Sequence, residues 1–568
     1  MRISIICLAT CLLAATSVDA QNFEWAKSFG GALFDDGNAI TIDASGNVYT
    51  TGFFEGTVDF DPGPGIANLS AVGRGDIFIQ KMDASGNFLW AKAFGGTLVD
   101  IGYAITTDAS GNVYTVGRFQ ETVDFDPGAG TFNLSAVGGT GVFVQKLDPA
   151  GNFLWVKSFG GPSFDMAYSI AIDGSGNIYT TGRFQGTADF DPGVGTVNLN
   201  AIGNDDIFIH KMDASGNFLW ARTFGSTSDD YGNAITVDAT GNVYTTGYFR
   251  YTIDFDPGTG TADLTTASPA FTDIFIQKLD PSGNFLWARA LGGAFHDEGH
   301  SIQIDNSGNV YTAGFFRDTV DFDPGAGEVK LTAAGEMDVF VQKMDSAGNF
   351  LWAKSFGGTS SEMAFSMALD ASGNVYSTGW FSGTADFDPG AASASLTATG
   401  GLDIFIQKMD AAGNFLWASA FGGTANDQGI SITVDSADNV YTTGKFQETV
   451  DFDPGTGIAN LSTVSGSIYQ DVFVHKMSQG GTTGLVDMAK GIQINTFPNP
   501  SDGLVQLRFE QALHNVQITL TDLQGKVIFT KHFDRVFNEP ININGKPGLY
   551  FLRVETPQGR SVVKLIKE

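Results

Sequence analysis

The sequence predicts an all-β protein: a seven-bladed β-propeller of four-stranded blades, closed by the N-terminal strand and followed by a small Ig-like β-sandwich. Three observations lead to this prediction. A unit of about 65 residues is repeated seven times, each unit contains four segments of strand-like composition, and the pattern ends before residue 485.

The repeat is clearest in the pentapeptide DFDPG, which occurs seven times. Successive copies lie 65 residues apart, except for one interval of 67. Tryptophan recurs at the same spacing, and only Trp380 of the eight tryptophans falls outside it. We interpret the repeated tryptophans as packing residues rather than a sugar-binding array, because a buried aromatic ring fills the space between neighbouring blades well.

Four segments of the first unit have the β-branched and aromatic composition of strands. They are AITID at 39–43, VYTTGFF at 48–54, DIFIQKM at 76–82 and FLWAKAF at 88–94. Short ASGN turns join the first strand to the second and the third to the fourth, and the longer middle connection carries DFDPG. A repeated four-stranded antiparallel unit is the blade of a propeller.

The two ends of the repeat array complement each other. The chain begins with an isolated fourth-strand segment, FEWAKSFGG at 23–31, and the seventh unit stops after its third strand, DVFVHKM at 471–477. Pairing these segments would complete the seventh blade and cover two strand edges. We therefore expect a closed ring within residues 21–480.

The segments DASGNVYTTG, DFDPG, DIFIQKMD and GNFLWAK resemble the bacterial SBBP-type β-propeller repeat family over residues 23 to about 477. Two positions depart from the pattern: Asp438 replaces a turn glycine in unit seven, and Leu291 replaces the phenylalanine of FGG in unit five. The resemblance implies the architecture but no activity, since propellers include both enzymes and binding modules.

Residues 1–20 have the features of a secretory signal peptide, with Arg2 before an apolar stretch and small residues before Gln21. Both cysteines, Cys7 and Cys11, lie in this segment, so the exported chain would contain no thiol. A lipoprotein signal ending at Cys11 is the alternative, with a short apolar region before the cysteine. No later apolar run is long enough to predict a transmembrane segment.

Residues 481–492 read as a flexible linker and residues 493–568 as a separate module of short alternating strands. The module resembles the C-terminal sorting domain of the type IX secretion system, known from the Bacteroidota. The matching residues are Pro498, Asn499, Pro500, Gly503, Gly525, Gly548, Tyr550, Lys564 and Lys567. The resemblance implies contact with the secretion machinery and delivery to the outer cell surface or the medium. The alternative is an ordinary Ig-like adhesive domain.

The negative charge is concentrated in the repeats. Residues 21–484 contain 20 Lys+Arg and 53 Asp+Glu, a net charge of −33, whereas residues 485–568 contain 10 and 8. Such a surface repels phosphate backbones, so we do not expect nucleic-acid binding. We expect the protein to be a monomer.

Each DFDPG motif supplies two carboxylates that could contribute oxygen ligands to calcium, the one cofactor that the sequence suggests. The alternative is a Pro-Gly turn in which the aspartates accept main-chain hydrogen bonds. The candidate residues are Asp59, Asp61, Asp124, Asp126, Asp189, Asp191, Asp254, Asp256, Asp321, Asp323, Asp386, Asp388, Asp451 and Asp453.

A second set of carboxylates precedes the first strand in all seven units. Because the first strand of a blade lines the axis, these groups are expected to form an acidic ring near one mouth of the channel and to attract cations. Alternatively, each carboxylate caps its own turn. The residues are Asp35, Asp100, Asp165, Asp230, Asp297, Glu362 and Asp427.

Two further signals are asymmetric. His296 and His300, with Asp297 and Glu298, could hold a transition metal, although a solvated polar loop is the simpler interpretation. One position near the end of the second strand varies while its neighbours repeat, and it holds Phe53, Arg118, Arg183, Tyr248, Phe315, Trp380 and Lys445.

The face of the disc that carries the DFDPG insertions holds most of this variation, so we expect it to bind an unidentified protein or glycan. The predicted function is that of an exported, non-enzymatic interaction module, because near-perfect repetition leaves no visible place for a unique catalytic constellation. The alternatives are a secreted polysaccharide lyase or glycoside hydrolase that uses loop carboxylates at the channel mouth, and a purely structural spacer.

Overall fold

A computed structural model describes residues 21–466, 469–479, 494–497, 501, 503–522, 526–556 and 559–567. All regular structure in these ranges is β-strand. No helix that could cross a membrane is found among the described residues. The chain divides into two compact units, the first ending at Gln479 and the second beginning at Gly480. The predicted signal peptide and linker lie outside the described residues.

The first compact unit contains seven antiparallel sheets, each with four main strands. We number the sheets 1 to 7 in the chain order of their first strands. The first strands are Asp35–Ile42, Ile101–Thr107, Met166–Ile172, Tyr231–Val237, Glu298–Ile304, Glu362–Leu369 and Gln428–Val434. The second strands are Val48–Phe54, Val113–Phe119, Ile178–Phe184, Val243–Phe249, Val310–Phe316, Val375–Phe381 and Val440–Phe446.

The third and fourth strands complete each meander. The third strands are Asp76–Met82, Gly141–Leu147, Asp206–Met212, Asp273–Leu279, Asp338–Met344, Asp403–Met409 and Asp471–Gln479. The fourth strands of sheets 1 to 6 are Phe88–Phe94, Phe153–Phe159, Phe218–Phe224, Phe285–Leu291, Phe350–Gly358 and Phe415–Phe421.

The insertion between the second and third strands forms a small hairpin in every sheet, which the sequence did not predict. The hairpins pair Thr57–Asp59 with Asn68–Ser70, Thr122–Asp124 with Asn133–Ser135, Thr187–Asp189 with Asn198–Asn200, Thr252–Asp254 with Asp263–Thr265, Thr319–Asp321 with Lys330–Thr332, Thr384–Asp386 with Ser395–Thr397, and Thr449–Asp451 with Asn460–Ser462.

The N-terminal strand, Gln21–Phe29, is the fourth strand of sheet 7. It pairs antiparallel with Asp471–Gln479, with Gln21 opposite Gln479 and Phe29 opposite Val472. The predicted pairing of these two segments is therefore present. Each first strand also contacts the first strand of the next sheet, and the first strand of sheet 7 contacts that of sheet 1. The first strands thus form a closed cycle.

The phenylalanine of each DFDPG motif packs between two neighbouring sheets. The ring of Phe60 lies 5.3 Å from that of Phe29 in sheet 7 and 5.2 Å from that of Phe78 in sheet 1. Its carbonyl oxygen accepts a hydrogen bond from Nε2 of Gln80 at 2.6 Å. The equivalent phenylalanines of the other six motifs are also fully buried. The motif is therefore part of the hydrophobic core.

The tryptophans of the fourth strands pack as the sequence indicates. Trp90 meets Tyr49 of its own sheet edge to face, with ring centroids 6.1 Å apart. Its indole Nε1 donates a hydrogen bond to the carbonyl oxygen of Pro149 in the next sheet at 3.2 Å. These rings therefore tie neighbouring sheets together.

The ASGN turns are held by the aspartate that precedes them. Oδ1 of Asp43 accepts the N–H groups of Ser45 and Asn47 at 2.9 and 3.0 Å. Gly46 has φ of 80°, the left-handed conformation that glycine adopts without steric cost.

Replacing Asp438 by glycine is expected to stabilise the protein. Asp438 stands where the other first turns have glycine and has φ of 61°, a conformation that costs a residue with a Cβ atom about 1 kcal/mol. Asp438→Gly should therefore raise the free energy of unfolding by roughly that amount in a denaturant titration. Gly46→Asp, the reverse change in sheet 1, should lower it by a similar amount. An unchanged value for both variants would contradict this account.

The described strands of the second compact unit are hydrogen-bonded into one antiparallel sheet of five strands, whereas a sandwich of the predicted kind has two sheets. Leu504–Asp522 pairs with Ile494–Phe497, Val527–Asn542 and Gly548–Thr556, and the last of these also pairs with Gly559–Lys567. Alternating residues of these strands, among them Val505, Leu507, Ile518, Leu520 and Leu552, form a buried core.

Candidate functional site

The seven predicted acidic residues are buried, each at most 1% exposed, and do not form an open ring at the channel mouth. Oδ2 of each aspartate, or Oε2 of Glu362, accepts the backbone N–H of the residue four positions earlier at 2.6–2.8 Å. In the six aspartates, Oδ1 accepts a second N–H from the residue 20 positions later. The expectation of a cation-attracting ring is therefore corrected, because the six aspartates join their own loops to the end of the second strand and Glu362 bonds to Gly358 of its own loop.

Burial changes the acidity of these groups. Desolvation raises the pKa of Asp35 to about 8, against the opposing effect of N–H donors from Gly31 and Glu55. The same cause raises the pKa of Asp100, Asp297 and Glu362 to about 7. It raises the pKa of Asp165, Asp230 and Asp427 to about 6.

The DFDPG aspartates bond to their own loop. Oδ1 of Asp59 accepts the N–H groups of Asp61 and Ala67 at 3.1 and 2.8 Å, and Oδ1 of Asp61 accepts that of Gly63 at 2.8 Å. The other six motifs have the same bonds. Within the described ranges, no group of three or more His, Cys, Asp or Glu side chains is arranged to hold a metal. The geometry favours turn formation, and calcium binding stays a prediction.

A thermal melt tests the calcium hypothesis directly. We expect the melting temperature to be the same in EDTA and in millimolar calcium, because the Oδ1 atoms already accept backbone hydrogen bonds. A ligand that binds only the folded state must raise its stability. A rise of many degrees with calcium, abolished in Asp59→Asn and its equivalents, would instead establish the DFDPG loops as calcium sites.

The histidines of the FHDEGH loop do not come together as a metal site. Nδ1 of His296 lies 3.0 Å from Oγ1 of Thr272, and Nε2 of His300 lies 3.2 Å from Oε2 of Glu298. Two other histidines have packing roles that the sequence did not reveal. His210 and His475 replace the glutamine that bonds to the DFDPG phenylalanine, and burial lowers the pKa of each to about 3, which makes them neutral.

One cavity of about 640 Å³ is lined by residues from all seven first strands. It therefore lies on the axis of the closed cycle, in the central channel. Each first strand has an irregularity at the same place, where one residue is left unpaired with the second strand. A β-bulge of this kind turns a side chain away from the regular alternation. All seven bulge residues line the cavity: Asn38, Tyr103, Tyr168, Asn233, His300, Phe365 and Ile430.

We call these seven residues the bulge ring. They differ in size and polarity, although the flanking sequence repeats closely. Glycine accommodates the bulge on the second strand: a Cβ atom on Gly52 would approach the carbonyl oxygen of Asp36 to 1.8 Å. The variable second-strand residues named above pair with the start of each first strand, as Phe53 does with Asp36. They therefore lie at the end of the sheets that carries the DFDPG insertions, and among them Tyr248 lines the cavity.

Four tyrosines form a continuous aromatic surface at this end of the channel, which we call the tyrosine wall. Ring centroids are 5.3 Å apart for Tyr103 and Tyr168, 6.2 Å for Tyr168 and Tyr231, and 4.7 Å for Tyr231 and Tyr248. All four side chains are half-buried and line the cavity. The wall spans sheets 2 to 4. A second aromatic contact within the bulge ring joins His300 of sheet 5 to Phe365 of sheet 6, with ring centroids 5.7 Å apart.

Charged groups surround the mouth in pairs. Nη1 of Arg183 lies 2.6 Å from Oδ2 of Asp205, and its guanidinium lies 4.5 Å from the centre of the Tyr231 ring. On the opposite side, Nζ of Lys445 lies 3.3 Å from Oδ2 of Asp36.

The sequence reasoning identified the varying second-strand position but missed the bulge ring. The signal that could have found it is the column three residues after each acidic residue, which varies in all seven units. A bulge has no composition of its own, so the sequence gives no reason to expect that these side chains point into the channel.

Several predicted sorting residues contribute contacts within the second compact unit. The carbonyl oxygen of Gly503 accepts the N–H of Ile543 at 2.7 Å, and Nζ of Lys567 donates to the carbonyl oxygen of Ile543 at 2.9 Å. Tyr550 is buried, and its hydroxyl donates to the carbonyl oxygen of Lys546 at 2.7 Å. Pro498, Asn499, Pro500 and Gly525 lie outside the described residues.

Comparison with known protein families finds matches in both parts of the chain. Residues 495–568 match the secretion system C-terminal sorting domain, and residues 154–183 and 219–248 match the SBBP β-propeller repeat. The chain combines SBBP propeller repeats with a type IX sorting domain. Its sorting domain implies export and an outer-surface or secreted location.

Two curated proteins are similar over long stretches. One is the "Uncharacterized WD repeat-containing protein L264" of Acanthamoeba polyphaga mimivirus, 24% identical over 504 residues, which are 75% of this chain and 36% of that protein. The other is the "Regulatory protein FlaEY" of Caulobacter vibrioides, 22% identical over 329 residues, 55% of this chain and 33% of that protein. The matched regions span about a third of the length of each relative.

Proposed function

We propose that this chain is an exported, non-enzymatic binding module, a seven-bladed β-propeller whose ligand site is the insertion-face mouth of the central channel. The seven four-stranded sheets and the closed cycle of first strands support the blade count. The similarity to a protein described as containing WD repeats agrees with this architecture, since WD repeats form propeller blades. The second unit is proposed to be an Ig-like sorting module.

The bulge ring is the observation that carries the binding role. A symmetric scaffold presents seven side chains to one cavity, and those seven positions hold Asn, Tyr, Tyr, Asn, His, Phe and Ile. The cavity has the size of a small-molecule or glycan site, which typically occupies 300–1,000 Å³ and combines aromatic surface with a few polar groups. A site of this composition suits ligand recognition better than simple packing.

The distribution of carboxylates argues against the enzyme alternative. A lyase or glycoside hydrolase needs an acid and a base on either side of the bound sugar. The acidic residues with raised pKa values bond to their own loops, and among the described carboxylates only Glu298 lines the cavity. Glu298 is hydrogen-bonded to His300, so this pair serves better to fix the shape of the site.

Glycan and peptide arrays probed with the purified chain test the binding role. Tyr168→Asn is the informative variant, because asparagine already occupies the same bulge position in sheets 1 and 4 and the scaffold accepts it. Phe164→Asn is the matched control, since Phe164 is an exposed aromatic residue of the loop next to Tyr168 and does not line the cavity. We expect the first variant to lose ligands that the second retains. If both variants keep the same ligands, or if the wild-type protein binds none, the result would favour the alternative of a structural spacer.

Removal of residues 495–568 is expected to stop the protein in the periplasm of a host with a type IX system. The signal peptide would still direct inner-membrane export, but the sorting domain that implies passage across the outer membrane would be missing. Immunoblots of cell fractions and medium measure the outcome. Fusion of residues 485–568 to a periplasmic reporter is the control and should move the reporter outward. A truncated chain that still reaches the surface or medium would overturn the assignment.

A further inference from the structure

The tyrosine wall offers aromatic surface beside an open cavity, with Tyr103 and Tyr168 edge to face and the guanidinium of Arg183 over the ring of Tyr231. Its four rings are contributed by three adjacent sheets, and the half-buried rings leave part of each surface facing the channel. Tyrosine combines apolar ring area with a hydroxyl group, which suits a ligand with an apolar ring face and polar edges. A pyranose ring has this character, because its C–H groups lie on its faces and its hydroxyl groups lie around its rim.

Three cations occupy the variable second-strand position at the mouth, and two of them have partners. Arg183 pairs with Asp205, and Lys445 pairs with Asp36. The third, Arg118, is half-buried, and its Nε atom is buried without a hydrogen-bond partner. Among the described residues, no atom forms an ion pair or hydrogen bond with the guanidinium group of Arg118, although its charge lowers the pKa of Asp100. The nearby Asp100 carboxylate is already bonded to the N–H groups of Gly96 and Gln120.

Sheets 2 and 3 provide an internal comparison. The position of Asp205 in sheet 3 is held by Thr140 in sheet 2, so the carboxylate that pairs with Arg183 has no counterpart beside Arg118. Oγ1 of Thr140 is instead bonded to the backbone of Asp165. Arg118 pairs across the strands with Ile101, two residues from the bulge at Tyr103, and therefore lies at the edge of the tyrosine wall.

An unpaired guanidinium next to an aromatic surface is complementary to a carboxylate on a ring-shaped ligand. Guanidinium and carboxylate groups match in planar, two-point hydrogen bonding. The net charge of −33 over residues 21–484 disfavours ligands with dense negative charge, which limits the favoured ligand to isolated carboxylates.

We infer that the channel mouth binds an acidic saccharide, with the sugar ring on the tyrosine wall and its carboxylate on Arg118. This inference rests on the binding role proposed above and specifies its ligand class.

Calorimetric titration of the full chain tests the inference with three acidic probes: trigalacturonic acid, a mannuronate trisaccharide and sialyllactose. Each is compared with its methyl ester, which retains the rings and hydroxyl groups but not the charge. We expect at least one acid to bind about tenfold more tightly than its ester, and Arg118→Gln to abolish that preference. Arg118→Phe should also abolish the preference for the acid. The scaffold accepts this substitution, because phenylalanine already occupies the position in sheets 1 and 5.

Two further variants sharpen the result. Thr140→Asp supplies the internal carboxylate that sheet 3 has, so it should weaken binding of the acid while its ester binds as before. Arg74→Gln removes the same charge from an exposed position and should leave both affinities unchanged.

Equal affinity of every acid and its ester, an undiminished preference in Arg118→Gln, or no binding of any acidic probe would overturn the inference. The binding role would survive these outcomes if Tyr168→Asn still abolished capture of a neutral glycan or peptide. It would fail with the inference if Tyr168→Asn left all binding unchanged.

Discussion

A chain that lacks residues 21–31 is expected to lose the folded structure of its first compact unit. These residues supply the fourth strand of sheet 7. Their removal leaves one of the two hydrogen-bonding edges of Asp471–Gln479 without a partner. An exposed strand edge of this length promotes aggregation. The loss also opens the contact between the last sheet and the first, so every other sheet is affected through the closed cycle.

The magnitude of this effect follows from the buried side chains of the strand. Phe29 is 4% exposed and packs against Phe60 and Phe78 of sheet 1, with centroids 5.3 and 5.4 Å away. Truncation of one buried phenylalanine costs about 3–5 kcal/mol, and a typical domain unfolds with a total of only about 5–15 kcal/mol. Loss of the whole strand, including Trp25, therefore removes a stabilisation comparable with the total.

Relocation of the strand separates ring closure from mere shortening of the chain. Because Gln21 lies opposite Gln479, residues 21–31 can be placed after Gln479 through a short hairpin turn. We expect this rearranged chain to melt cooperatively near the wild-type temperature, whereas the deletion variant should be aggregated or show no cooperative transition by calorimetry. A deletion variant that melts within a few degrees of the wild type would rule out strand closure as a major source of stability.

The sheets could be predicted from the sequence because the features that determine them are local and repeated. The Asp43 turn, the strand segments and the spacing of DFDPG recur seven times, and the unmatched FEWAKSFGG at 23–31 has only one complementary partner. The hairpin within each insertion was missed, since its strands have three residues each and are held by packing of Phe60 and its equivalents between sheets.

The site was only partly predictable for a physical reason. Asp35 and its equivalents were located correctly in the sequence, but burial, which a one-dimensional pattern does not contain, decides between an exposed ring and a set of caps. Tyr103 and Tyr168 meet only because bulges on neighbouring sheets turn them toward one axis. The sequence alone does not single out Arg118. Its guanidinium is unpaired because Thr140 holds the position of Asp205, the aspartate that pairs with Arg183 in sheet 3.

The stability of the protein is expected to fall as the pH rises from about 5 to 8. The seven buried acidic residues have folded pKa values of about 6 to 8, whereas unfolded Asp and Glu titrate near 3.9 and 4.3. Their contribution is fully present below the unfolded values and is lost as the pH passes through the folded ones, because the unfolded chain has already released its protons.

A neighbouring set of buried carboxyl groups strengthens this expectation. Burial raises the pKa of Asp273 to about 7 and of Asp471 to about 6, and Oδ1 of each is buried without a hydrogen-bond partner. Asp471 in turn raises the pKa of Asp35 by charge repulsion. A proton on one member of such a pair removes both the repulsion and one buried charge.

The turn aspartates with a lowered pKa titrate in the acidic range, so they do not cancel the fall in stability between pH 5 and 8. Burial acts to raise the pKa of Asp43, but hydrogen bonds from Asn47, Tyr49 and Ser45 lower it overall. The pKa is lowered in the same way at four equivalent residues, Asp108, Asp173, Asp238 and Asp305. These aspartates therefore add stability as the pH rises through the acidic range and are ionised by pH 5. The stability maximum is expected between these two sets of titrations, near pH 4–5.

Calorimetry between pH 4 and 8 at constant ionic strength measures the effect, and Asp35→Asn supplies its control. The amide cannot ionise and can still accept one of the two N–H bonds from Gly31 and Glu55, so this variant should be less stable at pH 5 yet lose less stability between pH 5 and 8 than the wild type. Each pKa unit of difference between the folded and unfolded states corresponds to about 1.4 kcal/mol, which makes the contribution of one residue measurable. A melting temperature that rises from pH 5 to 8, or a slope unaffected by Asp35→Asn, would mean that these carboxyl groups stay ionised in the folded protein and that their N–H donors outweigh their burial.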